Sequence, residues 1–189
     1  RHRLGEMPVE PREEPEPERP PSMETRLTRQ ALSSFSIGER DAPYTLYVFS
    51  DLNCPVCARF EKKTLPGLME KAVEPGDLRI QFVMTTKRSE GLPGRLRLVA
   101  AQTIAMAGAP VREVLSTLRD QNITSAPQGI AMFEDPALKR KARVLLEALT
   151  KQPGWDMILH AHARLAEQAR EKYFDGKSGT PAFVLKRSD

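Results

Sequence analysis

The sequence predicts an α/β fold in which a β-α-β unit is followed by a block of helices and then by one more strand. Two observations define the first unit. Tyr44 to Ser50 is a short run, rich in aromatic and β-branched residues and apolar on both faces, as suits a central strand covered on both sides. Leu78, Ile80, Phe82 and Met84 alternate with Arg79, Gln81 and Val83, the period of a second strand. The third observation is a change to helical periodicity from Leu96 onward, which ends only before the apolar run Ala182 to Leu185.

Between the two strands, Phe60, Thr64, Leu65, Leu68 and Ala72 recur at steps of three and four, which predicts one helix starting near Cys54. Glu74-Pro75-Gly76-Asp77 is the turn into the second strand, and Thr85 to Gly94 reads as a polar loop. Leu96, Val99, Ala100, Thr103 and Met106 mark the next helix. Gly108-Ala109-Pro110 separates it from another through Val111, Val114, Leu115 and Leu118. A third follows Leu138, Ala142, Leu145 and Leu149, and Gln152-Pro153-Gly154 breaks it before a fourth from Trp155 to Phe174, with Tyr173 on its inward side.

The two cysteines of the chain stand together in Cys54-Pro55-Val56-Cys57, where strand passes into helix. Pro55 suits a helix start, since its φ is fixed and its missing N–H would lack a partner there. Cys54 then falls near the N-cap, where unpaired N–H groups and the helix dipole favour a thiolate. Cys57, one turn on, lies on the same side and is placed to close a disulfide with Cys54 or to resolve a mixed one. Asp51, just before the motif, reads as a turn-forming or capping residue, with a proton relay as the second reading.

Competing readings are weaker. A disulfide across so short a loop restrains the unfolded chain little, so a static staple makes poor use of the pair. A structural zinc site needs about four ligands, and only His2, His160 and His162 accompany the cysteines. On the predicted helix His160 and His162 point in nearly opposite directions, His160 with Arg164, Glu167 and Glu171, and His162 as a boundary residue packed through its ring. No metal and no cofactor is expected. Lys139-Arg140-Lys141-Arg143 lies on the outward face of an amphipathic helix without interleaved aromatics and reads as a solvated face, so no nucleic-acid partner is expected. The net charge of +4 over 189 residues agrees.

Four segments together resemble the DsbA-like branch of the thioredoxin superfamily, over roughly residues 35 to 185: Asp41-Ala42-Pro43, Phe49-Ser50-Asp51, Cys54-Pro55-Val56-Cys57 and Gly179-Thr180-Pro181. The resemblance implies a thioredoxin-like core with an inserted helical domain. It also implies a cis Pro181 facing the cysteine pair, with the backbone of Thr180 offered to an extended substrate peptide, and Pro55 and Val56 tuning the pair from between the cysteines. The domains expected are a disordered Pro/Glu-rich linker over 1–30, the first part of the core over 31–90, the inserted helical domain over 91–176 and the cis-proline strand over 177–189. The C-terminal strand and helix of such a core are expected to be missing from the chain, through truncation.

The function implied is thiol:disulfide exchange with exported proteins, preferably as an oxidase, with protein or peptide thiols and a redox partner protein as partners. Two departures from the family pattern bear on direction: no histidine stands between the cysteines, and a threonine before the proline looks more like the isomerase and reductase branches. A reductase or isomerase of the same fold is therefore the first alternative, and a non-catalytic thioredoxin-like binding module the second. Residues 1 to 25 hold four arginines, seven glutamates and six prolines, a net −3, which leaves +7 for the remainder. Such a stretch buries too little apolar surface to offset its ordering entropy. It reads as a tether, and with Arg1 as first residue the expectation is a signal or membrane anchor before it and an extracytoplasmic, periplasmic location.

Overall fold

The computed structural model describes residues 22–85, 91–153, 155, 161–176 and 179–188. In chain order the elements are α1 (Met23–Ser33), β1 (Ser36–Ile37), β2 (Tyr44–Asp51), α2 (Pro55–Lys63), α3 (Leu65–Leu68), a π-helical turn (Met69–Val73), β3 (Leu78–Thr85), α4 (Gly91–Ala107), α5 (Val111–Leu118), α6 (Ala126–Ala131), α7 (Pro136–Thr150), α8 (Ala161–Phe174) and β4 (Ala182–Arg187).

The strands form one sheet in the order β1-β3-β2-β4. β2 and β3 pair in parallel from Tyr44 opposite Leu78 to Asp51 opposite Thr85, joined by the α2–α3 crossover. β1 and β4 flank them antiparallel. Gly38, between β1 and β2, holds φ at +98°, and a Cβ there would meet the Leu78 carbonyl oxygen at 2.7 Å, so this turn requires glycine.

Alternation along the two central strands divides the core. Val48, Ile80, Phe82 and Met84 join the large cluster completed by Leu98, Ala101, Ile104, Leu115 and Leu118 of the helical block. Phe49, Val83 and Ala182 face the other way, against Leu165, Ala166, Ala169 and Phe174 of α8. The sheet is therefore covered on both faces, as the apolar run Tyr44 to Ser50 requires. In space α8 packs on the sheet, although in sequence it closes the stretch expected as an inserted helical domain.

Several expectations need correction. The linker expected over 1–30 gives way to helix from Met23, where Ser22 caps α1 by accepting the Thr25 N–H at 3.1 Å; residues 1–21 lie outside the described residues. The single helix expected from Cys54 past Ala72 is broken after Lys63, because Pro66 has no N–H to give the Lys62 carbonyl. Helix α4 starts at Gly91 rather than after Gly94, with Pro93 in its first turn. Helix α6, capped by Ser125, and the two-residue strand β1 are additional.

His162 is fully buried rather than a boundary residue. Its Nδ1 accepts the Met84 N–H at 3.2 Å, its Nε2 meets the Ala31 carbonyl oxygen at 2.9 Å, and its ring packs edge-on against Phe35. Tyr173 is 41% exposed rather than inward, its ring approached by Lys172 and Lys186. His160 lies outside the described residues, as does Leu159, which the same helical spacing places on the inward side with Tyr173. Of the basic run on α7, Arg140, Lys141 and Arg143 are exposed and Lys139 is half-buried.

Candidate active site

The site forms where β2 ends. Asp51 Oδ1 accepts the Asn53 N–H at 2.8 Å, and the Asp51 carbonyl accepts the Cys54 N–H at 3.1 Å, so a compact turn delivers Cys54 to the head of α2. Asp51 thus occupies the turn-forming position. Cys54 is the N-cap, with φ −86° and ψ 113°, and Pro55 follows in the first helical turn. The Cys54 sulfur accepts the Cys57 N–H at 3.3 Å, and the Cys54 carbonyl accepts the Ala58 N–H at 3.1 Å. Both cysteines are free thiols, Cys54 5% exposed and Cys57 fully buried. Pro55 and Val56 beside them are open to solvent.

The C-terminal segment closes the site. The Thr180–Pro181 peptide is cis, and the Cys54 thiol donates to the Thr180 carbonyl oxygen at 3.2 Å. Cys54, Cys57, Thr180 and Pro181 are therefore brought to one place although Thr180 lies 126 positions beyond Cys54. Phe183, two residues into β4, stacks obliquely on Phe60 of α2 at 5.0 Å and ties that strand to the cysteine helix.

The two thiols differ in acidity. Burial pushes the Cys54 thiol up, but hydrogen bonds from the Cys57 and Thr180 side chains and from the backbone N–H groups of Cys57 and Val56 outweigh it. The Cys54 pKa ends below its ordinary value. For Cys57 burial dominates, reinforced by its hydrogen bond to Cys54, and its pKa is pushed up to about 11. One sulfur is set up to carry charge and the other to carry a proton.

Beneath the turn lies a polar layer that the sequence reading does not contain. Arg119, which follows α5, donates from Nη1 to the carbonyls of Asp51, Leu52 and Cys54 at 3.3, 3.2 and 3.3 Å. Its Nη2 pairs with both oxygens of Glu61 at 2.6 and 2.5 Å, with both side chains about nine-tenths buried. Ser50 donates to Glu61 at 3.2 Å, and Arg97 of α4 donates to Asn53 Oδ1. Burial raises the Glu61 pKa, opposed by Arg119 and Ser50. One sequence signal bears on this layer: Glu61 is four residues after Cys57 on the same helical face. Among the described residues no group of histidine, cysteine and carboxylate side chains could hold a metal ion.

A family model described as Thioredoxin matches residues 30–154. Disulfide bond formation protein D of Bacillus subtilis (strain 168) is 29% identical over 68 residues, 36% of this chain and 30% of that protein, so the match spans less than a third of the relative's length. Among solved structures, oxidised BdbD from Bacillus subtilis superposes with a TM-score of 0.58 at 18% identity, covering 83% of this chain and 84% of that one. MdbA, a thiol-disulfide oxidoreductase from Corynebacterium matruchotii, gives 0.56 at 14% identity, covering 85% and 91%.

Proposed function

The chain belongs to the thioredoxin family, with the fold of its DsbA-like members, and we propose that it is a protein thiol:disulfide oxidoreductase that oxidises exported proteins. The observation that carries the proposal is the asymmetric pair at the head of α2: Cys54 with a lowered pKa, Cys57 raised to about 11, and the Thr180 carbonyl against the Cys54 sulfur.

In the oxidising direction a substrate thiolate attacks the Cys54 sulfur of the Cys54–Cys57 disulfide. The S–S bond breaks, and its electron pair leaves on Cys57, which takes up a proton readily because its thiol form is favoured. A second substrate thiolate then attacks the substrate sulfur of the mixed disulfide and expels Cys54 as a thiolate. Two electrons pass from the substrate dithiol to the protein, and the substrate leaves with a disulfide. Stabilisation of the Cys54 thiolate favours the reduced protein and therefore donation of the disulfide.

Thr180 and Pro181 present the backbone on which an extended substrate peptide pairs, and Pro55 and Val56 form the exposed lip beside Cys54. A redox partner protein must reoxidise the pair. The location proposed is extracytoplasmic, in the bacterial periplasm, with a tether before residue 1. No helix among the described residues is long and apolar enough to cross a membrane.

The test is equilibration in glutathione buffers, with the Cys54–Cys57 state scored by mass shift after thiol alkylation. A potential well above the glutathione poise is expected. One well below it moves the assignment to the reductase reading, and a pair that does not cycle removes exchange altogether.

A further inference from the structure

Three backbone carbonyls of the turn that delivers Cys54 converge on one side chain, and that side chain belongs to the helical block. Arg119 Nη1 reaches the carbonyls of Asp51, Leu52 and Cys54 while Nη2 is held by both oxygens of Glu61. The next residue adds a fourth tie, since the Asp120 N–H donates to the Leu52 carbonyl at 3.3 Å from a left-handed conformation with φ +55°. Arg97 fastens the Asn53 side chain from α4. The loop from β2 to α2 is thus held by groups from outside the β-α-β unit.

We propose that Arg119, oriented by Glu61, is a positioning residue for the redox site: its guanidinium clamps the Asp51–Cys54 turn and holds Cys54 at the head of α2. The inference rests on the oxidoreductase reading of that site. A guanidinium suits the task because it is planar, with donors in a fixed fork, so one edge spans several carbonyls while the other meets a carboxylate. A lysine would bring one mobile point charge. Glu61 neutralises the buried cation, so the pair as a whole places little net charge beside Cys54. Its effect is then geometric: a slack turn lets the Cys54 sulfur drift from the Cys57 N–H and from Thr180, and the thiolate loses the donors that offset its burial.

The test compares full-length Arg119→Lys, Arg119→Gln and Glu61→Gln with the wild type, reading the rate of Cys54 alkylation against pH and the glutathione equilibrium of the pair. Both Arg119 variants should lower alkylation about tenfold at pH values below the alkylation midpoint of either protein, the loss that accompanies a one-unit rise in a thiol pKa. Glu61→Gln, which retains the fork on the carbonyls and leaves its charge unneutralised beside Cys54, should not show this loss. Wild-type alkylation in Arg119→Lys overturns the clamp, because charge alone would then suffice; so does wild-type alkylation in both Arg119 variants.

A lone Glu61 in a low-dielectric site is destabilising. The double variant Arg119→Met/Glu61→Gln, which leaves no unpaired ion, is therefore read alongside, and it too should show the tenfold loss if the clamp is right. A cavity of about 380 Å³ beside the pair, between α2 and α5, gives the truncated side chains room for water. Failure of the wild type to cycle in glutathione would remove the oxidoreductase reading, while the alkylation profiles would still decide the role of Arg119.

Discussion

The heads of α2 and α7 share a backbone solution and differ in everything around it. Cys54 caps α2 at φ −86°, ψ 113° and Asp135 caps α7 at φ −63°, ψ 113°, each followed by a proline in the first turn. Asp135 is exposed and accepts the N–H groups of Ala137 and Leu138 at 2.8 and 3.3 Å, as an ordinary capping carboxylate does. Cys54 is buried, accepts the Cys57 N–H, and meets a carbonyl from the far end of the chain, with Arg119 fastened to the turn behind it. The helix terminus alone is therefore a generic anion site. What distinguishes the head of α2 is a polarisable sulfur, a second cysteine one turn on, and a polar layer bonded to the turn that leads into it.

The largest expected effect is loss of that sulfur. Cys54→Ser should reduce thiol exchange with a model substrate to the buffer background, since serine caps the helix equally well but forms no disulfide. Cys57→Ser should instead leave Cys54 reactive and cause mixed disulfides with substrates to accumulate, visible on non-reducing gels. Equal trapping by the two single variants would mean that the pair is not asymmetric.

The next effect concerns a group that burial holds in its neutral form, the reverse of Cys54. Burial lowers the His162 pKa from 6.5 to about 4, and the hydrogen bonds to Ala31 and Phe82 only partly offset it. Nδ1 already accepts the Met84 N–H, so protonation there would set two donors face to face. The sign follows directly. The unfolded chain takes the proton first, so this contribution to stability is complete above pH 6.5 and is lost as pH falls toward 4. A shift of that size corresponds to roughly 3 kcal/mol. Urea unfolding of the wild type should show this acid ramp, and His162→Gln, less stable at pH 7, should show a shallower one. Parallel ramps would place the acid sensitivity elsewhere.

What the sequence makes legible follows from whether a signal is local. The cysteine motif is contiguous and sits at a change of period, so both its position at a helix head and its chemistry are readable. Thr180 and Pro181 carry no local sign of their destination and are connected to Cys54 only through the resemblance. Arg119 is illegible for a different reason: a polar residue just past an amphipathic helix normally meets water, and only the folded chain shows three carbonyls waiting for it. Glu61 is half legible, since its spacing places it on the face of Cys57 but does not reveal its partner. Helix α1 is masked by the Pro/Glu-rich stretch before it, although Leu27 and Ala31 four residues apart reach the core. The two residues of β1 are too few to show a period.

A sharper form of the comparison moves a thiol to the other helix head. With Cys54 and Cys57 both changed to serine, Asp135→Cys leaves a single exposed sulfur at the start of α7. A helix terminus at an exposed site contributes about 0.3–1 kcal/mol, which is less than one pKa unit. Its alkylation midpoint should therefore lie no more than about one unit below the ordinary thiol value, and above that of Cys54 in the Cys57→Ser protein. If the transplanted thiol titrates as low as Cys54, the hydrogen bonds around Cys54 do no more than offset its burial, and the proposed clamp protects no acidity beyond that of an exposed helix head.

The smallest effect is expected from removing the Asp135 cap itself. Asp135→Ala leaves the Ala137 and Leu138 N–H groups to water and should cost about 1 kcal/mol, read as a lower urea midpoint with an unchanged slope. Thiol exchange should be unaffected, because Arg119, Asp120 and Arg97, which bond to the Asp51–Cys54 turn, do not belong to α7. Helix α7 does pack on α4, which carries Arg97 to Asn53. A drop in Cys54 alkylation in Asp135→Ala would therefore mean that the two helix heads communicate through α4. An unchanged rate with the lower midpoint would leave them equivalent in backbone geometry and independent in function.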